Sequence, residues 1–186
     1  MKKKIIAFGA TNSRSSINKQ LATFAAGQVK DVDVEVLDLN DFEMPIYSID
    51  REKESGMPQL AHDFKNLLAE ADGIVISFAE HNGMYSVAFK NIFDWISRID
   101  RGAWNGKPMF LLATSPGGRG GKSVLEVAVN QFSRINQNTL VHFSLPSFHG
   151  NFSEESGILH EELYEAFQKQ LKVFEAAVRQ EIPAVQ

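Results

Sequence analysis

The chain contains no cysteine. That absence removes disulfides, thiolate nucleophiles and Cys-containing metal sites together. It has no surplus of positive charge either. Its 19 basic and 23 acidic residues give a formal net charge of -4, spread along the chain with no basic stripe for a polyanion, so nucleic acid is not an expected partner. No apolar run approaches the length that spans a bilayer. Lys2 to Lys4 followed by residues 5–10 superficially resembles the front of a secretory signal. The apolar run is short, however, and ends in Thr-Asn-Ser-Arg with no cleavage-like stretch, so a buried first strand accounts for it better. These absences predict a soluble, cytoplasmic protein that does not engage a membrane. What is present is 186 residues, 44% of them hydrophobic, enough for a substantial core in one domain over residues 1–182, with a loose tail at 183–186.

Residues 5–22 organise the reading. An apolar run leads directly into Thr11-Asn12-Ser13-Arg14-Ser15-Ser16-Ile17-Asn18, and an amphipathic pattern follows. This predicts a strand, an anion-holding turn and a helix. Hydroxyl and amide groups stand beside free backbone N–H groups at a helix start, and Arg14 adds positive charge. Only Gly9 is glycine and no Gly-Lys pair follows, so neither the dinucleotide fingerprint nor the Walker loop fits. A loop that grips with side chains suits a terminal monophosphate such as that of FMN. The alternative is an ordinary Ser/Asn helix cap with no ligand.

Further along, a helix is expected over 18–28 and a β-branched strand over 32–37, closed by Asp38, Asn40 and Asp41 as turn residues. Residues 42–56 show no clean period and read as a long connecting loop. Pro58 can open a helix that runs to Asp72-Gly73. The nearly continuous apolar run 74–78 reads as a strand buried on both faces, as in a parallel sheet covered by helices. The loop Ala79-Glu80-His81-Asn82-Gly83 and a helix over 87–99 come next. A fourth strand over 107–114 empties into Ser115-Pro116-Gly117-Gly118-Arg119-Gly120-Gly121, whose glycines imply unusual backbone angles or close ligand approach. A helix over 124–135, a fifth strand over 139–143 and a long helix over 159–179 complete the pattern. Five strands alternating with five helices argue for an α/β fold: a three-layer sandwich around a parallel sheet. Its loops after strands one, three and four would meet at the carboxyl edge, where such sheets bind ligands.

Three residue groups resemble the signatures of the NADPH-dependent FMN reductase family of flavodoxin-like fold, over most of the chain. The family's Ser-x-Arg-x-x-Ser-x-Asn is matched by Thr11, Ser13, Ser16 and Asn18, with Arg14 one position beyond the family's arginine. Its Pro-Glu-Tyr-Asn-Gly, followed by a helix with Leu-Lys-Asn and Asp-Trp, stands here as residues 79–83, Phe89-Lys90-Asn91 and Asp94-Trp95. Its Ser-Pro-Gly-Gly-x-Gly-Gly is matched in full at 115–121. The resemblance implies an α/β/α flavodoxin-like sandwich with a five-stranded sheet in the order 2-1-3-4-5. It implies FMN held by Thr11, Ser13, Arg14, Ser16, Ile17 and Asn18 at the phosphate, and by Glu80, His81, Asn82, Gly83, Ser115, Pro116 and Gly117 at the ring. NADPH or NADH would be co-substrate, and a quinone, azo compound or free flavin the small-molecule acceptor. Met44-Pro45-Ile46-Tyr47 resembles an element that approaches a neighbouring subunit, which implies a homodimer or homotetramer.

Flavin carries hydride chemistry itself, so no catalytic acid or base is required of the chain. His142 and His149 lack ligand spacing, and no metal is expected. Glu154, Glu155, Glu161 and Glu162 read as dipole-complementing and solvating residues around the last helix. Phe132, Phe143 and Phe174 are core candidates. Arg119, and Arg98 or Arg101, are candidates for a nicotinamide phosphate. The competing readings are a flavodoxin-type one-electron carrier, which would be more acidic and carry a Thr-x-Thr-Gly-x-Thr-like first loop, and a cofactor-free binding protein.

Overall fold

The computed structural model describes residues 2–180; the tail expected at 183–186 lies outside them. Strands β1 (Lys3–Ala10), β2 (Val32–Leu37), β3 (Gly73–Phe78), β4 (Met109–Thr114) and β5 (Leu140–Leu145) form one parallel sheet in the order β2-β1-β3-β4-β5, as the resemblance implied. Helices α1 (Ile17–Gly27) and α7 (Glu161–Val178) cover one face, and α3 (Gln59–Glu70), α4 (Val87–Ile99) and α5 (Lys122–Ile135) cover the other.

Side-chain alternation explains the three layers. On β1, β3 and β4 the residues Ile6, Phe8, Ile74, Ile76, Phe78, Met109 and Leu111 enter the core beneath α3, α4 and α5. Their neighbours Ile5, Ala7, Val75, Phe110 and Leu112 enter the core beneath α1 and α7. A strand that buries both sets has no solvent-facing polar side, which is why β3 and β4 read as nearly continuous apolar runs. Phe132 packs in the first core, and Phe143 and Phe174 pack in the second, as expected.

Two expectations are corrected. Residues 42–56 are not a structureless loop, because they contain α2 (Ile49–Ser55). This helix buries none of its residues and is held by polar contacts at its start and its middle. Ser48 Oγ accepts from the Arg51 amide, and Glu52 accepts from Tyr47 Oη at 2.9 Å and Arg98 Nε at 3.0 Å. A helix with no buried stripe has no hydrophobic period to detect. The strand-helix alternation is also richer than five and five. Among the described residues, a short α6 (Phe148–Asn151) and a hairpin of β6 (Phe152–Ser153) and β7 (Gly157–Ile158) intervene before α7. The long final helix therefore begins at Glu161, not at 159.

Candidate functional site

The loops after β1, β3 and β4 leave the same edge of the sheet, and buried hydrogen bonds tie them together. Asn18, only 3% exposed, turns its amide inward. Its Nδ2 donates to Thr114 O at 3.1 Å, while its Oδ1 accepts from Thr114 N at 3.0 Å and from Ser77 Oγ at 2.7 Å. The start of α1 is thereby pinned over the ends of β3 and β4. Ser86 Oγ donates to Ala10 O at 2.8 Å and accepts from the Phe89 amide, so it caps α4 and holds that helix against the end of β1. Glu80 Oε2 accepts from the Val124 amide at 3.1 Å, joining the loop after β3 to the first turn of α5.

The first loop divides its donors between structure and solvent. Ser16 Oγ caps α1 by accepting from Lys19 N, and Gln20 N donates to Ser16 O. The amides of Ile17 and Asn18 are left as the donors a helix cannot satisfy internally. Thr11 is buried and its hydroxyl accepts from Ser13 N at 3.1 Å, closing the turn. Asn12, Ser13, Arg14 and Ser15 are exposed, and residues 11–18 include no carboxylate. Gly9 lies beneath this turn because a Cβ there would come within 2.6 Å of Lys19 N. So Ser16 and Asn18, both expected at a phosphate, direct their side chains to the fold, and an anion would meet backbone amides and the exposed hydroxyls.

The second loop is a tight hairpin. His81 and Met84 exchange two backbone hydrogen bonds of 3.0 Å, and Asn82 and Gly83 between them take φ of 53° and 77°. Two positive φ values define the turn that Asn-Gly pairs favour, because these residues tolerate the left-handed region at low cost. The turn leaves His81 and Asn82 exposed at the rim.

The glycines of the third loop do two jobs. Gly120 has φ of 60°, and a Cβ there would lie 2.6 Å from Ser144 Oγ and 2.9 Å from the Leu145 backbone; glycine at this position is demanded by the fold. At Gly117 and Gly118 a Cβ would meet nothing within 4 Å, and neither has positive φ. No internal contact or strain calls for glycine at those two, and the loop presents bare backbone outward. Ser115 O and Gly117 O accept from Phe148 N and Ser147 N, which anchors the loop to the exit of β5.

A cavity of about 500 Å³ opens at this edge, lined by Asn12, Asn40, Glu43, Met44, His81, Asn82 and Val87 among others. It joins the first and second loops to the segment after β2; the third loop is not part of its lining. That segment is clamped to α4 by Asn91, which accepts from Tyr47 N at 2.8 Å and donates to Met44 O at 3.0 Å, and by Trp95 Nε1, which donates to Pro45 O at 2.8 Å. Trp95 is therefore a packed residue, only 1% exposed. Asn40 and Glu43 had no motif to mark them. Arg14 lines a different groove, beside α1. Arg98 is also displaced from its expected role. It stands in the last turn of α4, far from the helix end that faces the cavity, and is bound to Glu52. Arg119 remains exposed at the rim with Nη2 donating to Ser123 Oγ at 2.7 Å.

The arrangement fits a flat, phosphorylated cofactor: free amides and hydroxyls without opposing carboxylate at one loop, a rigid turn at the second, and side-chain-free backbone at the third. The chain belongs to the NADPH-dependent FMN reductase family, whose profile matches residues 3–150. Among curated relatives, it is 37% identical over 109 residues to a 2-hydroxy-1,4-benzoquinone reductase of Burkholderia sp, covering 58% of this chain and 57% of that protein. It is 33% identical over 79 residues to a quinone reductase of Escherichia coli, covering 42% of each. The aligned part thus spans about half the length of these relatives. The flavoenzyme NAD(P)H:(acceptor) oxidoreductase FerB of Paracoccus denitrificans superposes with a TM-score of 0.74 at 20% identity, over 97% of this chain and 98% of that one, which shows the shared fold. No helix among the described residues is long and apolar enough to cross a membrane.

Proposed function

We propose that the protein is an FMN-dependent NAD(P)H oxidoreductase that passes two electrons to a small neutral acceptor such as a quinone, with azo compounds or free flavin as further acceptors. When bound, FMN supplies reversible hydride transfer, accepting from NAD(P)H and delivering to the acceptor. For a quinone the balance is NAD(P)H, a proton and quinone giving NAD(P)+ and hydroquinone.

The residues supply binding and order. The amides of Ile17 and Asn18, the hydroxyls of Ser13 and Ser15 and the backbone after Thr11 would hold the phosphate. Glu80, His81, Asn82 and Gly83, together with Ser115, Pro116 and Gly117, would hold the ring, with the Glu80 carboxylate fixing the spacing of the two loops through Val124. The observation that carries this reading is the bare backbone at Gly117 and Gly118, for which no contact among the described residues gives a reason. The relatives named as quinone reductases support the choice of acceptor.

A second copy of the chain completes the cavity. Ile46 is 66% exposed and Val87 72% exposed, both on its lining, with Met84 and Ile49 exposed nearby in sequence. An apolar rim of this kind is what a homodimer contact covers. The cytoplasm, where reduced nicotinamide coenzyme is available, is the location consistent with this activity.

Anaerobic stopped-flow mixing of FMN-loaded protein with NADPH tests the proposal. Bleaching of the flavin band within seconds, and its return on adding a benzoquinone, are expected; a band that persists would end the reductase reading.

A further inference from the structure

Arg14 is exposed and makes no ion pair among the described residues. It lines a groove of about 440 Å³ on the α1 side of the sheet, distinct from the cavity at His81. The volume falls within the usual range for small-molecule sites. One wall is α1 itself. Ser16, Gln20, Thr23 and Phe24 stand along one face of it at helical spacing, all of them lining the groove. The other wall is the β6–β7 hairpin, with Phe152 and Glu154.

The far end is firmly built. Phe24 and Phe152 meet edge to face with centroids 5.4 Å apart. The Phe24 ring is seated on the hairpin at Gly157, where a Cβ would approach to 2.2 Å. Lys19, also on the lining, is taken by Asp38 at 2.6 Å, which leaves Arg14 as the unpaired cation of the groove. The order of groups along it is therefore guanidinium beside the anion loop, then the Gln20 amide, then two aromatic rings with a carboxylate at their edge.

We propose that this groove binds the adenylate portion of a nucleotide coenzyme. Arg14 takes a phosphate, Gln20 lies along the ribose, and the base packs on Phe24 and Phe152 with its exocyclic amine donating to Glu154. From Ser16 to Thr23 the helix rises roughly 10 Å, comparable with the reach of a nucleoside 5′-phosphate from phosphorus to base. The carboxylate selects the base. Adenine presents a donor to Glu154, whereas hypoxanthine presents a carbonyl at the same position, and two acceptors facing each other repel. The adenylate has two sources, the nicotinamide dinucleotide or the AMP half of FAD. The proposal rests on the oxidoreductase reading for that source only.

The experiment is calorimetric titration of AMP and of IMP into FMN-saturated protein, so that the anion loop is already filled. Saturable AMP binding, several-fold tighter than IMP, is expected. Arg14→Ala should weaken AMP about tenfold, the worth of one charge-assisted phosphate contact. Glu154→Gln should remove the preference over IMP, and Thr23→Trp, a substitution at an exposed position, should fill the groove and abolish binding with an unchanged circular dichroism spectrum. Absence of saturation at millimolar AMP, or AMP binding indifferent to both Arg14→Ala and Thr23→Trp, overturns the proposal. In FMN-free protein, FAD binding tighter than FMN in wild type but not in Thr23→Trp assigns the groove to the flavin's own adenylate. Equal FAD and FMN affinities, with Thr23→Trp weakening NADP+ but not nicotinamide mononucleotide, assign it to the nicotinamide coenzyme. AMP binding that persists in a protein unable to reduce FMN upholds the groove and removes only the reductase reading.

Discussion

The Glu80 carboxylate accepts a hydrogen bond from the backbone amide of Val124 at 3.1 Å, so a residue of the loop after β3 caps the helix that follows the loop after β4. An anion at a helix N-terminus meets both an unpaired amide and the positive end of the helix dipole. The bond thus sets the distance between the two loops that frame the proposed ring site.

Replacing Glu80 should accordingly loosen the site more than it unfolds the protein. Glu80→Ala is expected to raise the Kd for FMN about tenfold, or roughly 1.4 kcal/mol. Glu80→Gln, which keeps an acceptor but not the charge, should lose less. Quenching of FMN fluorescence on titration reads both values, and an unchanged Kd in Glu80→Ala would mean that this bond does not position the site.

Asn18 predicts the opposite balance. Its amide makes three buried hydrogen bonds to Ser77 and Thr114, and Asn18→Leu leaves those partners without a match inside the fold. A loss of about 2–4 kcal/mol is expected from buried polar groups left unsatisfied. Urea denaturation should show a lower midpoint at unchanged slope. A variant as stable as the wild type would mean the three bonds contribute nothing.

Gly118 and Gly120 are two residues apart and should respond differently to alanine. Gly120→Ala forces a Cβ to 2.6 Å from Ser144 Oγ at a φ of 60°, a loss of about 2 kcal/mol or more. Gly118→Ala meets no atom of the described residues within 4 Å beyond its chain neighbours and should stay within about 0.5 kcal/mol of wild type. Its cost should fall on FMN affinity instead. Thermal melts and FMN titrations of the pair separate the two roles, and a Gly118→Ala variant that binds FMN normally contradicts the proposed placement.

Asp38 sets a pH dependence. Its hydrogen bond from Lys19, and then that from the Asn40 amide, hold its carboxyl down from 3.8 to about 2. A group whose folded pKa is depressed adds stability that is complete above the unfolded value and is lost as pH falls through the folded one. The window is therefore between about 4 and about 2, and solvent around the half-exposed pair limits the contribution to about 1 kcal/mol at most. Asp38→Asn should flatten that part of the stability profile while leaving neutral-pH FMN binding in place; an identical acid profile in the variant would remove Asp38 from it.

Much of the fold is legible in the sequence because it rests on burial. Residues 74–78 are apolar except for Ser77, whose hydroxyl is bonded to Asn18, since β3 is covered on both faces, and α4 shows a strong apolar stripe because Phe89, Ile92, Phe93 and Ile96 are buried against the sheet. Where burial is absent the pattern is silent. Helix α2 buries nothing and so shows no period, although Ser48 as a cap before Asp50, Arg51 and Glu52 is a usable signal. The two-residue strands β6 and β7 are too short to show any period.

By itself the sequence determined the layers, the order of elements and the three polar turns at one edge, because periodicity records which side chains must leave water and turn chemistry records where the chain must reverse. Tertiary structure decided what each polar group in those turns does. Ser16 and Asn18, which the resemblance implies at a phosphate, use their side chains as a helix cap and an internal brace. Glu80 is a tie between loops, Arg98 belongs to Glu52, and Arg14 faces a groove whose far wall comes from residues more than a hundred positions away. A hydrogen-bonding side chain is satisfied by whatever lies within about 3 Å, and that neighbour is fixed by how distant segments pack.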